Sequence, residues 1–255
     1  MIEEWLVLPD IHWERHNKPA LKAIFRLIED RRPNVVQLGD LYTLDQFSRY
    51  RKDPRMLMKT MDTVKSSIEE FWGPLHGMLK SKKDPKQIWF TLGNHEQRMY
   101  DYCVDNASVL LDLFGTEEVP YADWLGFGPY VDQWCTYGRG LVRGNVVFTH
   151  GNRVGATSAK NLLTEDWGMN GMSGHTHKAT RFERRTFASR QVWQECGVLG
   201  DLAQWYNDAD TTDWHSGFGY AQIDPAGWEL PQLDFIRVDE KQGWFKFWGQ
   251  EYGWR

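Results

Sequence analysis

The chain has 255 residues, and 35 acidic against 30 basic side chains leave a formal net charge of −5. That balance excludes the diffuse basic surface of an indiscriminate nucleic-acid binder. At 41% hydrophobic and 25% charged residues the composition is that of an ordinary globular chain, and the length suffices for one full core, so residues 1–255 are expected to form a single domain. Its one outlier is 14 tryptophans. No run of 18 apolar residues marks a membrane span. The opening Met1-Ile2-Glu3-Glu4-Trp5 has neither the basic region nor the apolar stretch of a secretory leader. Cys103, Cys135 and Cys196 are widely separated and odd in number, as expected of reduced thiols in a cytoplasmic protein.

In chain order, Trp5-Leu6-Val7-Leu8 is a short apolar run ending at Pro9-Asp10, the pattern of a buried strand. Pro19 opens a helix with Leu21, Ile24, Phe25 and Ile28 on one face; Arg31 and Arg32 suit its last turn and Pro33 stops it. Val35-Val36-Gln37-Leu38 is the second strand, ending at Gly39-Asp40. A helical stretch from about Arg55 to Trp72 aligns Met58, Met61, Val64, Ile68 and Phe71. Ile88 to Leu92 is the third strand, ending at Gly93-Asn94-His95, with a helix expected from about Glu96 to Leu113. Strand–helix alternation favours parallel strands with right-handed crossovers. Gly115 to Gly144, with Tyr121, Trp124, Phe127, Tyr130, Trp134 and Tyr137, reads as a long connection with one strand. Val146 to Thr149 then leads into His150, a short helix is expected near Ser158 to Asp166, and Met172-Ser173 leads into Gly174. Alternating runs at 218–223 and 233–238 predict antiparallel strands. The expected architecture is α/β, with two sheets face to face and helices outside.

The polar clusters at the strand ends carry the chemistry. They are Asp10-x-His12, Gly39-Asp40, Gly93-Asn94-His95-Glu96, His150-Gly151 and Gly174-His175-Thr176-His177. Five of the eight histidines fall inside them. One strand-end Asp is as easily a cap or loop residue. Three successive strand ends bearing D-x-H, G-D and G-N-H are not, because open α/β sheets place their sites beyond the C-terminal ends of their strands. Asp, Asn and His are oxygen and nitrogen ligands suited to Mn²⁺, Fe, Zn²⁺, Ni²⁺ or Mg²⁺, and no cysteine stands near enough for a thiolate zinc module. The donors suffice for two ions. A pair of divalent ions clamps the attacking and leaving oxygens of a displacement at phosphorus, so the pattern points to a phosphate-ester hydrolase.

The ordered set D-x-H, G-D, G-N-H-E, H-G, G-H-T-H resembles the calcineurin-like metallophosphoesterase superfamily from Asp10 to His177, in particular its small stand-alone members of the kind often carried by phages. The resemblance implies a four-layer αββα sandwich of two mixed sheets flanked by helices. It implies that Asp10, His12 and His177 hold one metal, that Asn94, His150 and His175 hold the other, and that Asp40 bridges them. Manganese is the first expectation for both ions. His95 would face the leaving-group oxygen rather than bind metal. A hydroxide shared by the two ions would attack phosphorus in line, and His95 would protonate the departing oxygen or hold its charge.

Where the serine/threonine protein phosphatases of that superfamily carry G-D-x-V-D-R-G, this chain reads Gly39-Asp40-Leu41-Tyr42-Thr43-Leu44-Asp45 and lacks the Arg. The expectation is therefore a phosphodiesterase or nuclease-like enzyme acting on nucleic acid or nucleotides. A phosphomonoesterase is the alternative and a non-catalytic scaffold a more distant one. Asp45 is a candidate to orient His95. Trp13, where a Gly commonly follows D-x-H, and the aromatic stretch Tyr121–Tyr137 are candidates to receive a flat group. Arg98, Arg153 and Lys160 are candidates for phosphate oxygens, each also explicable as surface charge. His16, His76 and His215 read as surface or core histidines. Trp244, Phe245, Phe247, Trp248 and Trp254 read as strand core ahead of a stacking platform for single strands.

Overall fold

The structure, a computed structural model, describes residues 1–48, 60–81, 83–109, 121–185, 187, 189–202 and 213–253. In one sheet, β1 (Glu3–Leu8), β2 (Asn34–Gln37), β3 (Ile88–Thr91) and β4 (Gln133–Cys135) run parallel. Two antiparallel strands, β10 (Gly217–Ile223) and β11 (Gln232–Arg237), extend it beyond β1. The second sheet contains β5 (Gly140–Arg143), β6 (Val146–Thr149), β7 (Asn170–Ser173), β8 (Arg181–Arg185) and β9 (Arg190–Glu195) in the order β5-β6-β7-β9-β8. Its three central strands are parallel and its two edges antiparallel. A hairpin of β12 (Phe245–Phe247) and β13 (Gln250–Tyr252) packs against the helical side of the first sheet.

Side-chain alternation along the strands separates the layers. Leu6 and Leu8 join the core facing the helices, while Trp5 and Val7 face the second sheet. Val146 and Phe148 answer them from β6, and Val147 between them faces the outer helical piece with Leu162 and Leu163. The result is the expected four layers: helices, mixed sheet, mixed sheet, helices. Several tryptophans are core: Trp5, Trp72 and Trp193 are fully buried.

The first helix, α1 (Lys18–Arg31), begins where Asn17 Oδ1 accepts from Ala20 N at 3.0 Å, and ends at left-handed Arg32. The second helical stretch does not stop at Trp72 as expected. Thr60–Ser67 (α2) passes through a π-helical turn, Ile68–Trp72, into α3 (Gly73–Lys80). Pro74 is tolerated because it sits in the first turn after that change of hydrogen-bond register, where a missing N–H costs little. The start of the expected stretch, including Met58, lies outside the described residues. Next, α4 spans Asn94–Asn106, and its C-cap Ala107 leaves helical geometry; the expected continuation to Leu113 lies partly outside the described residues. The aromatic connection holds two strands, β4 and β5, instead of one, and Tyr121 and Phe127 are buried core residues. Of the Trp-rich end, Phe245 and Phe247 are core, whereas Trp248 is exposed beneath the Arg31 guanidinium at 4.2 Å; Trp254 lies outside the described residues. Among the described residues no helix is long and apolar enough to cross a membrane, and Cys103, Cys135 and Cys196 are free thiols.

Phe148 sits between the sheets, 5.4 Å from the Trp5 ring and 6.3 Å from Trp89. Phe148→Ala should cost about 3–5 kcal/mol by cavity formation, read as a lower urea midpoint with an unchanged slope, and Phe148→Leu should recover most of it. A loss below about 1 kcal/mol for the alanine variant would mean that this layer collapses freely around the gap.

Candidate metal centre

Each motif lies immediately past a strand end, and the backbone turns sharply there. Asp10, His12, Asp40, His175 and His177 all have positive φ, at 38°, 48°, 50°, 68° and 59°. A left-handed non-glycine residue costs roughly 1–2 kcal/mol, so five at one place are held by strong local ties. His12 N donates to Asp40 O at 2.9 Å, His175 N to Asp10 Oδ2 at 3.0 Å and Gly174 N to His150 O at 3.1 Å. The loops also approach too closely for side chains at two glycines. A Cβ on Gly93 would overlap the Asp40 carboxylate, and one on Gly174 the Asp10 carboxylate.

These turns gather all seven expected ligands. On one side Asp10, His12 and His177 converge, with His177 Nε2 3.2 Å from Asp10 Oδ1 and 3.3 Å from His12 Nε2. On the other, Asn94 Oδ1 lies 2.8 Å from His175 Nδ1 and 3.0 Å from His150 Nε2, and those two nitrogens are 3.2 Å apart. Asp40 Oδ2 is 3.5 Å from His150 Nε2. Asp10 stands in both carboxylate–histidine groups, Asp10–His12–His177 and Asp10–Asp40–His150, whereas the sequence reading gave the shared position to Asp40 alone. Two ligands about 2.1 Å from one cation lie roughly 3.0–3.4 Å from each other at right-angled to tetrahedral spacing; four of these separations fall in that range, and those of 2.8 and 3.5 Å lie just outside it. The hydrogen bonding agrees. His150 Nδ1 donates to Leu38 O at 2.7 Å, so the neutral ring would turn the Nε2 lone pair toward the Asn94 oxygen. Two acceptors that close repel each other unless a cation faces both. The donor set therefore fits divalent metal.

A sequence model of calcineurin-like phosphoesterases matches residues 5–240. The chain belongs to that family. No curated protein sequence matches it. Among solved structures, one similar fold is vacuolar protein sorting 29 from Cryptosporidium parvum, at 14% identity over 99% of this chain and 95% of that one, with a TM-score of 0.48. Another is an archaeal phosphodiesterase, at 11% identity over 91% of this chain and 98% of that one, with a TM-score of 0.40.

The electrostatics suit family chemistry. Burial, then the neighbouring His177, drives His12 down to about 3, and burial with His150 takes His175 to about 4. Both imidazoles are thus neutral and open as ligands at neutral pH. Burial, reinforced by the Asp10 carboxylate, pushes Asp40 up to about 8. Burial opposes the charge on Asp10 as well, but the hydrogen bond and charge of His177 bring it below the ordinary carboxylate value. Burial first, then His12 and Arg98, keeps His95 well below the usual imidazole value. Its Nδ1 meets Thr43 O at 2.7 Å and its Nε2 faces Asp40 Oδ2 at 3.6 Å.

The remaining candidates separate cleanly. Asp45 reaches Arg98 at 3.8 Å, and Arg98 Nη1 lies 3.1 Å from His95 Nδ1. Trp13 is buried, donates to Ser66 Oγ at 2.8 Å and stacks on His16, so it anchors the helical layer and offers no face to the site. Arg153 is paired with Asp166 and Glu165, Lys160 is exposed, and His76 and His215 pack against Tyr130 and Phe235.

Two further residues had no role in the sequence reading. Trp214 packs edge-on against His177 at 4.3 Å. Glu96, fully buried, accepts from Asp40 N at 3.0 Å, Gly93 N at 2.8 Å and Tyr42 N at 3.0 Å, and so fastens the β2 and β3 loops together. Burial and the nearby Asp40 raise it to about 7. The G-N-H-E motif contained Glu96, but its three partners are 3, 54 and 56 residues away and only the fold joins them. Glu96→Ala should cost at least about 3 kcal/mol, because three buried N–H groups lose their acceptor at roughly 1–3 kcal/mol each. Glu96→Gln should cost less. Equal urea midpoints for wild type and Glu96→Ala would refute this clamp.

Proposed function

We propose that this chain is a phosphodiesterase that holds two divalent cations, manganese foremost, in one domain. The carrying observation is the convergence of Asp10, His12 and His177 beside Asn94, His150, His175 and Asp40, with nitrogen and oxygen acceptors 2.8–3.5 Å apart. Asp10, His12 and His177 would hold one ion, Asn94, His150 and His175 the other, and Asp40 would contribute its carboxylate between them. When bound, the ions supply positive charge for the phosphoryl oxygens and an activated water. A complete ligand set argues against a scaffold that keeps the fold without the chemistry.

The chain's own residues do the rest. Neutral imidazoles add no charge, so the ions stay net positive toward an anionic ester. Thr43 O accepts from His95 Nδ1 and sets the ring with Nε2 toward Asp40. His95 is neutral in the free protein; it would take up a proton from solvent at Nε2 as the anionic ester binds, favoured by that charge, and give it to the departing oxygen, returning to the neutral ring. Glu14 accepts from Thr43 N at 2.9 Å and so steadies the carbonyl that orients His95. The stretch Leu41–Asp45 lacks the arginine that the protein phosphatases carry within the corresponding motif to hold a dianion, which favours the singly charged diester.

Wild-type protein incubated with Mn²⁺ should bind two ions per chain and hydrolyse bis-nitrophenyl phosphate. Asp40→Asn should lower occupancy and turnover together. Full activity in that variant, or in excess chelator, would end the two-metal reading. If nitrophenyl phosphate is turned over at least tenfold better in kcat/KM than the diester, the phosphomonoesterase reading replaces this one.

His95→Ala should retain its metal yet slow hydrolysis by about 10²–10⁴-fold on an alkyl leaving group, which needs a proton. With nitrophenolate leaving the loss should be small. Equal losses on both esters would remove His95 from the proton-donor role.

A further inference from the structure

A groove of about 840 Å³ opens beside the metal centre and runs out along α4. It begins at Asn94 and His175, both members of the centre. Its floor is one face of α4: Asn94, then Gln97 and Arg98, then Asp101 and Tyr102, then Asp105 and Asn106, at the spacing of successive helical turns. Asn94 to Asp105 is about 16 Å along the helix axis. Phe47 forms part of the wall, its ring 5.5 Å from that of Tyr102, and Tyr102 is 40% exposed.

Charge changes sign along this floor. Arg98 is the cation among the described lining residues, one helical turn from Asn94, while Asp101 and Asp105 lie farther out. A nucleic-acid strand carries one phosphate for each nucleotide, so a strand laid along the groove would bring further phosphates against those two carboxylates. An uncharged aromatic group meets the opposite conditions: ring faces to stack on and carboxylate acceptors for its N–H donors.

We propose that the groove receives the nucleoside end of a small phosphodiester, with Arg98 at the phosphoryl oxygens, the base against Phe47 and Tyr102, and its amino groups toward Asp101 and Asp105, and that it disfavours a polynucleotide. This rests on the phosphoesterase reading of the metal centre and narrows its substrate class from nucleic acid or nucleotides to nucleotides.

The test uses Mn²⁺-loaded protein and two readouts. The first is kcat/KM on the nitrophenyl phosphodiester of adenosine 5′-phosphate, on ethyl nitrophenyl phosphate and on a single-stranded oligonucleotide. The first two esters share charge and reporter group and differ in the nucleoside. The second readout is calorimetric binding of adenosine 5′-phosphate against ribose 5-phosphate, which isolates the base without turnover. The adenosine compounds should be favoured at least tenfold in both readouts. Tyr102→Ala should reduce each ratio at least fivefold, and Tyr102→Phe, which keeps the ring, should restore it. The double variant Asp101→Asn, Asp105→Asn should raise oligonucleotide hydrolysis several-fold. Two esters turned over equally, with no gain in binding from the base, would overturn the groove proposal and leave the metal centre standing. An oligonucleotide hydrolysed better than the adenosine ester would overturn it too. Tighter binding of adenosine 5′-phosphate with no hydrolysis of any ester would support the groove and overturn the phosphoesterase reading instead.

Discussion

Two carboxylates, Asp10 and Asp40, are buried side by side, and Asp10 raises the cost of charging Asp40. Water does not relieve that repulsion, and the surrounding imidazoles His12 and His175 are held neutral by the same burial. His177 offsets the charge of Asp10 alone, and a divalent cation between the two carboxylates would offset both. The local structure around them has sharp left-handed turns at five candidate ligands, glycines where backbone must pass a carboxylate, and a His150 whose Nδ1 is fixed by the Leu38 carbonyl. A site assembled only when metal arrives would have to order those turns at that moment. Here hydrogen bonds between the loops hold them in advance.

The architecture explains why one end of the sandwich carries all the chemistry. β1, β2 and β3 are parallel in one sheet, β6 and β7 in the other, and each ligand loop leaves the C-terminal end of its strand. The core between the sheets, with Trp5, Trp89 and Phe148 in mutual contact, fixes the distance between the two sets of loops. Asp10 reaches across that gap to the backbone of His175. Two acids tie the loops within the first sheet: buried Glu96 joins the turns after β2 and β3, and half-buried Glu14 fixes the Thr43 segment that orients His95. Packing between the sheets therefore sets how far apart the two groups of candidate ligands stand.

The sequence by itself determined the parallel strands that end in the motifs, the helix from Pro19 onward and the identity of all seven ligand candidates. The reason is local: apolar runs of strand length, cap residues and clustered His, Asp and Asn are written within a few positions of one another. It also identified Phe245 and Phe247 as core, because they alternate with polar residues, though Trp248 beside them is exposed. Tertiary structure alone decided matters that depend on residues distant in the chain. It buried Trp13, Tyr121 and Phe127 in the core but set Tyr137 against His150 on the groove wall, carried a helix through Pro74, put Asp10 in both carboxylate–histidine groups and placed Arg98 between Asp45 and His95. It also made Glu96 a clamp and gave one face of α4 to a groove. Residue type and spacing state which donors exist. Which carboxylate meets which nitrogen, and which aromatic ring faces solvent, is settled by how the sheets and helices pack.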